Sequence, residues 1–195
     1  SVEGYRTSLK SYYRSKLVKH LKRNAQRTVR HELIEDFGHL AEELCEQWLV
    51  VHHQADEFQR EVLTPEFYRE LSNEMGAHSS VLCFFAGDEW VGHALLLLDG
   101  DTLRWLYFGR KEAANDSLYF YCIHAVIETA INLGAKRLDL GVTTYSIKQD
   151  LGARVSPVNM AIRSPIRWIN PFIGWGYRLL NKPAPVQNKL VFKQD

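Results

Sequence analysis

Asp139, Tyr145 and Lys148 lie close together around a short segment, Leu138-Asp139-Leu140-Gly141, and each offers a different proton or charge function. A carboxylate accepts a proton, a phenol donates one, and an ammonium holds or polarises an anionic oxygen. Each also has a structural reading: Asp139 paired with Arg137 or an exposed lysine, Tyr145 packed, Lys148 in solvent. Other chemistry-bearing residues form no pattern of comparable interest. His52 and His53 are adjacent and diverge on a helix, so they lack the same-face spacing of a helical zinc site. His124 and Glu128 are four apart, opposite Ile123, Ile127 and Ile131, and read as a solvated polar face, whereas His93 reads as a satisfied sheet histidine. Cys45, Cys83 and Cys122 are odd in number and lack metal-ligand spacing; Cys122 reads as core, and no metal is expected. There is no Ser-His-Asp order, Cys-His pair or Walker-type phosphate loop.

A chain of 195 residues, 46% hydrophobic and 24% charged, suits one globular domain with a full core. No apolar run approaches the roughly 20 residues that cross a bilayer, and the N-terminal stretch has no secretory apolar region, so a cytoplasmic location is expected. The net charge of +1 hides a division. Arg6, Lys10, Arg14, Lys16, Lys19, Lys22, Arg23, Arg27 and Arg30 face only Glu3 in the first segment, residues 32–70 are strongly acidic, and the balance turns basic again from Arg154. The two basic segments either converge on an anionic ligand, such as a nucleotide or tRNA, or form solvated faces that pair with the acidic helix.

The elements that must position the three residues follow from periodicity and turn residues. Ser8 to about Ala25 has the spacing of a basic amphipathic helix capped by Ser8, with Leu9, Tyr13, Leu17 and Leu21 in one stripe. A strand is expected over Thr28 to Phe37, a helix from His39 to Ala55, and another that starts at Pro65 behind Thr64 and ends at Met75-Gly76. Gly87-Asp88 and Asp99-Gly100 separate three strands into an antiparallel meander. A helix over Asn115 to Leu133, stopped by Gly134, leads to a strand over Ala135 to Leu140, then a short helix and a last strand over Arg154 to Arg163 with a bulge or edge at Pro157.

This order resembles the fold of GCN5-related N-acetyltransferases. The segment Leu138-Asp139-Leu140-Gly141, followed by Lys148 and Leu151-Gly152, together with Ser8-Leu9-Lys10-Ser11 leading to Arg14 and Lys16-Leu17, is similar to the FemAB-like and BioF2-like acetyltransferase branch. The resemblance implies an α/β (α+β) fold: a mixed sheet with the meander, a crossover helix and a parallel pair of splayed strands, plus the basic N-terminal helix. It also implies acyl transfer from acyl-CoA or a carrier thioester to an amine of a small molecule or peptide. The donor arm would lie where Trp105–Gly109 and Arg137–Gly141 part, along Tyr107, Phe108 and Gly109, because unpaired backbone there can bond an amide-bearing chain. Its phosphates would meet Arg110, Lys111, Asn115, Asp116 and Ser117 at the helix N-terminus.

In that scheme Asp139 accepts the amine's proton, Tyr145 protonates the leaving group, and Lys148 binds an anionic acceptor or polarises the carbonyl. Arg110 to Asn115 has none of the glycines of the usual pyrophosphate loop. FemAB-like relatives lack that loop and use aminoacyl-tRNA, so tRNA is the competing donor; a non-catalytic domain that binds an anionic partner or a missing N-terminal lobe is a third reading. Residues 1–163 are expected to form the acyltransferase domain and 164–195 an aromatic-rich extension packed on it, with a peripheral membrane contact as the competing reading. Pro165, Pro171, Gly174 and Gly176 argue against one continuous helix in the extension.

Overall fold

The structure, a computed structural model, describes residues 1–54, 61–111, 116–142, 144–157, 161–180 and 187–194. Its centre is a sheet of strands β1 (Val29–Ile34), β2 (Ser79–Ala86), β3 (Glu89–Asp99), β4 (Thr102–Arg110) and β5 (Arg137–Asp139), arranged in chain order. The first four are antiparallel to their neighbours, and β5 runs parallel to β4 after the helix α5 (Asp116–Asn132). This is the expected mixed sheet, and the turns at Gly87 and Gly100 adopt the positive φ that their glycines permit.

Alternation along the strands sends side chains into two cores. Leu82, Phe84, Ala94, Leu96, Leu103 and Trp105 face α5 and the helix α2 (Ser11–Gln26) on one side. Val81, Cys83, Leu95 and Trp90 face helices α3 (Ala41–His53) and α4 (Pro65–Met75) on the other. The start of α4 is fixed as the sequence suggests, with the Phe67 N–H donating to Thr64 Oγ1 at 3.3 Å and Pro65 in the first turn. Helix α5 is apolar nearly all round because it lies between the sheet and two further helices. That cover corrects the reading of His124: it is 2% exposed, and its Nε2 accepts from Arg6 Nε at 3.2 Å on helix α1 (Val2–Ser8).

The N-terminal helix is two helices. Leu9 is extended, fully buried and bridged to Phe192, while the Lys10 N–H donates to Val191 O at 2.9 Å and the Lys193 N–H to Ser8 O at 2.9 Å. A distant piece of backbone thus replaces the helical bonds that Ser8 would have capped. The expected strand over Arg154 to Arg163 is absent among its described residues. The amide of Asn188 takes both backbone groups of Val155, at 2.6 and 3.3 Å, in place of a ladder. In the extension, α7 (Asn170–Leu180) is one helix, because Pro171 falls in the first turn, where its missing N–H costs nothing. The basic helix does not pair with the acidic one: α2 and α3 lie on opposite sheet faces, and Glu42 and Glu43 of α3 are bonded to Arg69 and Lys111.

Candidate active site

Strand β4 pairs with β5 only from Thr102 opposite Arg137 to Arg104 opposite Asp139. Beyond that point β4 continues to Arg110, whereas the other chain turns away at Gly141, whose φ is +73° and whose N–H donates to Asp139 Oδ1 at 2.9 Å. The strands therefore part, as expected, between Trp105 and Leu140. Opposite Leu95 and Leu96, Leu106 is an extra residue in β4, a bulge absent from the sequence reading.

Lys148 occupies the parting. It comes from helix α6 (Tyr145–Asp150), is 5% exposed, donates from Nζ to Leu140 O and places that nitrogen 5.9 Å from the centre of the Trp105 ring. Among the described residues no carboxylate lies within ion-pair distance of it. Burial pulls its pKa down to about 8, against the opposing charge of Asp139. The surface-lysine reading is thereby excluded. A desolvated ammonium at a strand parting is an electrophilic group held in a low-dielectric setting, where its charge acts more strongly than in water.

Asp139 is half-exposed and paired with Arg104 at 3.2 Å; Arg137, the partner expected for it, binds Asp101 at 3.0 Å instead. Tyr145 opens α6 and is exposed. Before it stands Thr144 at φ +55° and ψ +43°, a conformation that a β-branched residue rarely adopts. Thr144 also hydrogen-bonds the phenol of Tyr119, whose pKa burial pushes upward. Strain of this kind persists only where surroundings impose it, and here it sits at the mouth of the parting.

The expected donor-lining residues divide. Tyr107 bonds Glu61 at 3.3 Å and packs edge-on against Trp48 and Phe67 on the α3 face, while Phe108 packs against Trp105 and Tyr119 on the other. Gly109 owes its lack of a side chain to the core, because a Cβ there would lie 2.2 Å from Cε1 of the buried His93. His93 is a satisfied sheet histidine as expected, with Nδ1 2.9 Å from Gln47 Oε1 and a pKa that burial lowers to about 3. Arg110 reaches Gln54 at 3.4 Å and keeps a buried Nε without a partner among the described residues, and Lys111 pairs with Glu43 at 3.4 Å. Asn115 and the side chain of Asp116 lie outside the described residues. The Ser117 hydroxyl is 3.1 Å from His20 Nδ1, and its carbonyl accepts from Asn24 at 2.9 Å, so the first turn of α5 is tied to α2.

Behind α6 lies an ion cluster that sequence reading missed. Asp150 is 5% exposed and accepts from Lys16 of α2 and from Lys189, each at 2.5 Å. Burial alone would raise its pKa, but the two lysines more than offset this and hold it below the ordinary carboxylate value. Gln149 bonds the Gln187 carbonyl at 3.0 Å, and the Tyr5 hydroxyl donates to Leu151 O at 2.9 Å. Residues 187–193 thus strap α6 to α1 and α2. The only sequence signal was Lys148-Gln149-Asp150 itself, three polar residues that a buried helix end must satisfy.

A meander followed by a crossover helix and a parallel pair of strands that part is the frame of the acetyltransferase fold. Residues 11–149 match the family described as "Acetyltransferase (GNAT) domain", and the chain belongs to that family. A protein of Mycobacterium tuberculosis (strain ATCC 25618 / H37Rv), provisionally named 8-amino-7-oxononanoate synthase 2, is 26% identical over an alignment of 142 residues that covers 68% of this chain and 18% of that protein. The chain therefore spans less than a fifth of the length of that relative, whose similarity accords with the BioF2-like branch. Among solved structures, aminoglycoside N-acetyltransferase AAC(6')-Iy in complex with CoA has a TM-score of 0.50 at 11% identity, covering 70% of this chain and 95% of that one. The ribosomal-protein-alanine N-acetyltransferase of Brucella melitensis biovar Abortus 2308 gives 0.50 at 13%, covering 70% and 99%. These likenesses establish the fold. No helix among the described residues is long and apolar enough to cross a membrane.

Proposed function

We propose that the chain is an N-acyltransferase that takes an acyl group from coenzyme A or a carrier thioester and delivers it to the amine of a small molecule or peptide. The observation that carries this reading is the desolvated Lys148 ammonium at the parting of β4 and β5. The free edge of β4 along Tyr107, Phe108 and Gly109 would hold the amide-bearing arm of the donor through backbone groups. Arg110 and Lys111, with Asn115, Asp116 and Ser117 at the start of α5, would meet its phosphates. The buried Nε of Arg110, without a partner among the described residues, fits an anionic group there. Acyl-coenzyme A, when bound, would supply a thioester carbonyl whose C–S bond breaks as the amine forms the new C–N bond. Lys148 then stabilises the negative charge that develops on the carbonyl oxygen, Asp139 accepts the proton of the amine directly or through water, and Tyr145 returns a proton to the sulfur.

Titration calorimetry with coenzyme A, paired with thiol release from acetyl-CoA over a panel of primary amines, tests the proposal. Absence of both binding and amine-dependent release defeats the thioester reading. The runner-up is a FemAB-like transferase that uses aminoacyl-tRNA. It is favoured by the groove of about 510 Å³ along α2, lined by Arg14, Lys19, Lys22 and Arg23, none of which has an ion-pair partner among the described residues. Salt-dependent tRNA binding without coenzyme A binding would select it. Anion binding without turnover of either donor would select the non-catalytic domain.

A further inference from the structure

Helix α7 has the pattern of a core helix and the environment of a surface one. Phe172, Trp175 and Leu179 recur at helical spacing on one face, yet they are 62%, 69% and 58% exposed, and no residue of α7 is buried. Eight of the 17 large apolar side chains exposed among the described residues fall between Ile162 and Leu180. A soluble monomer seldom leaves such a concentration of apolar surface in water.

The charges around it identify the occupant. Residues 161–180 contain Arg163, Arg167 and Arg178 and no acidic residue. At 100° per residue Arg178 flanks the Phe172–Trp175–Leu179 stripe, about 60° from Trp175, and Arg167 adjoins the exposed Trp168 in the 3₁₀ turn that leads into the helix. Tryptophan and tyrosine prefer the headgroup level of a bilayer, and arginine binds phosphate there. At about 1.5 Å per residue the 11 residues of α7 are too short to span, so the helix would lie in the plane of the surface.

We propose that residues 166–180 are an interfacial anchor that seats the domain on a bilayer carrying anionic lipid. The apolar stripe enters the acyl boundary, and Arg163, Arg167 and Arg178 meet the headgroup phosphates. This inference is independent of the acyl-transfer reading.

Sedimentation of the full chain with vesicles of phosphatidylcholine, with and without an equal part of phosphatidylglycerol, tests it. The expected result is retention on the anionic vesicles, falling by about tenfold or more in the triple variant Phe172→Ser, Trp175→Ser, Leu179→Ser, which removes most of the buried apolar area. That variant should melt as the unmodified protein does, because the three substituted side chains are exposed. Three results would overturn the proposal: no retention on anionic vesicles; equal retention of the triple variant, with loss instead in Lys19→Gln, Lys22→Gln, Arg23→Gln; or a clear drop in the variant's melting temperature, which would mean that α7 packs on the domain or on a second copy.

Discussion

The front of α6 carries Lys148 and the back carries Asp150; both are buried, and their electrical surroundings are opposite. Asp150 is matched by two ammonium groups from separate parts of the chain, Lys16 and Lys189. Among the described residues Lys148 has only the Leu140 carbonyl and the face of Trp105. A buried charge with its full set of partners fixes geometry, whereas one left without a counter-charge retains a field that can act on something else. The helix thus sets a neutralised charge and an uncompensated one within one turn, and the strap of residues 187–193 holds the neutralised half.

Four measurements would break or sharpen this contrast. Lys148→Met should lower acyl-transfer kcat by about 10²–10³, the usual effect of removing one group that stabilises a developing oxyanion, and initial-rate kinetics would read it. If the variant keeps its rate, the front of α6 is scaffold too. Asp150→Ala should cost about 2 kcal/mol of unfolding free energy in urea, a figure set below the range for fully buried pairs because Lys16 and Lys189 are each about a third exposed. An unchanged midpoint would remove the distinction from the other side.

The third measurement uses pH. The Lys148 pKa, about 8 in the fold, lies below its unfolded value of about 10.4, so the unfolded chain binds more protons between these limits and stability rises with pH across that window. Below pH 8 the charged lysine is a burden, and Lys148→Met should be the more stable protein by about 2 kcal/mol at pH 7, with the gap closing as pH approaches 10. Asp150 runs the other way. Its pKa is depressed, so its contribution is present above the ordinary carboxylate value and lost as pH falls through the lower folded one. Parallel unfolding curves for both variants would show slopes at opposite ends of the pH range. The smallest effect expected is about 1 kcal/mol lost in Gly141→Ala, because φ of +73° disfavours a Cβ, with calorimetric melting as the check.

Local signals made the sheet legible. Gly87 and Gly100 marked the hairpin turns, Thr64-Pro65 marked a helix start, and alternation located β2 to β4. Failures arose where distant backbone or side chains supplied the bonding. Leu9 carries helical spacing yet lies in a bridge to Phe192, and Val155 has strand-like neighbours yet spends its backbone groups on Asn188. At the candidate site, a short motif singled out Asp139, Tyr145 and Lys148 in the sequence. Their partners were not legible there. Asp139 meets Arg104 rather than Arg137, and His124 is covered by Arg6, because tertiary packing sets such contacts without regard to spacing along the chain.

The extra residue at Leu106 determines which face each later residue of β4 sees. Trp105 and Phe108, three positions apart, share the α5 side, while Tyr107 faces α3. Strand alternation alone would place Trp105 and Tyr107 together. Were residue 106 kept but paired in a regular ladder, Tyr107, Phe108 and Gly109 would each slip one place to the wrong side, and His93 would stand opposite Phe108 in place of the hydrogen of Gly109. Over this stretch the bulge therefore matters more than the residue count: losing residue 106 would leave Trp105, Tyr107, Phe108 and Gly109 opposite their present partners, whereas flattening the bulge would displace all of them but Trp105.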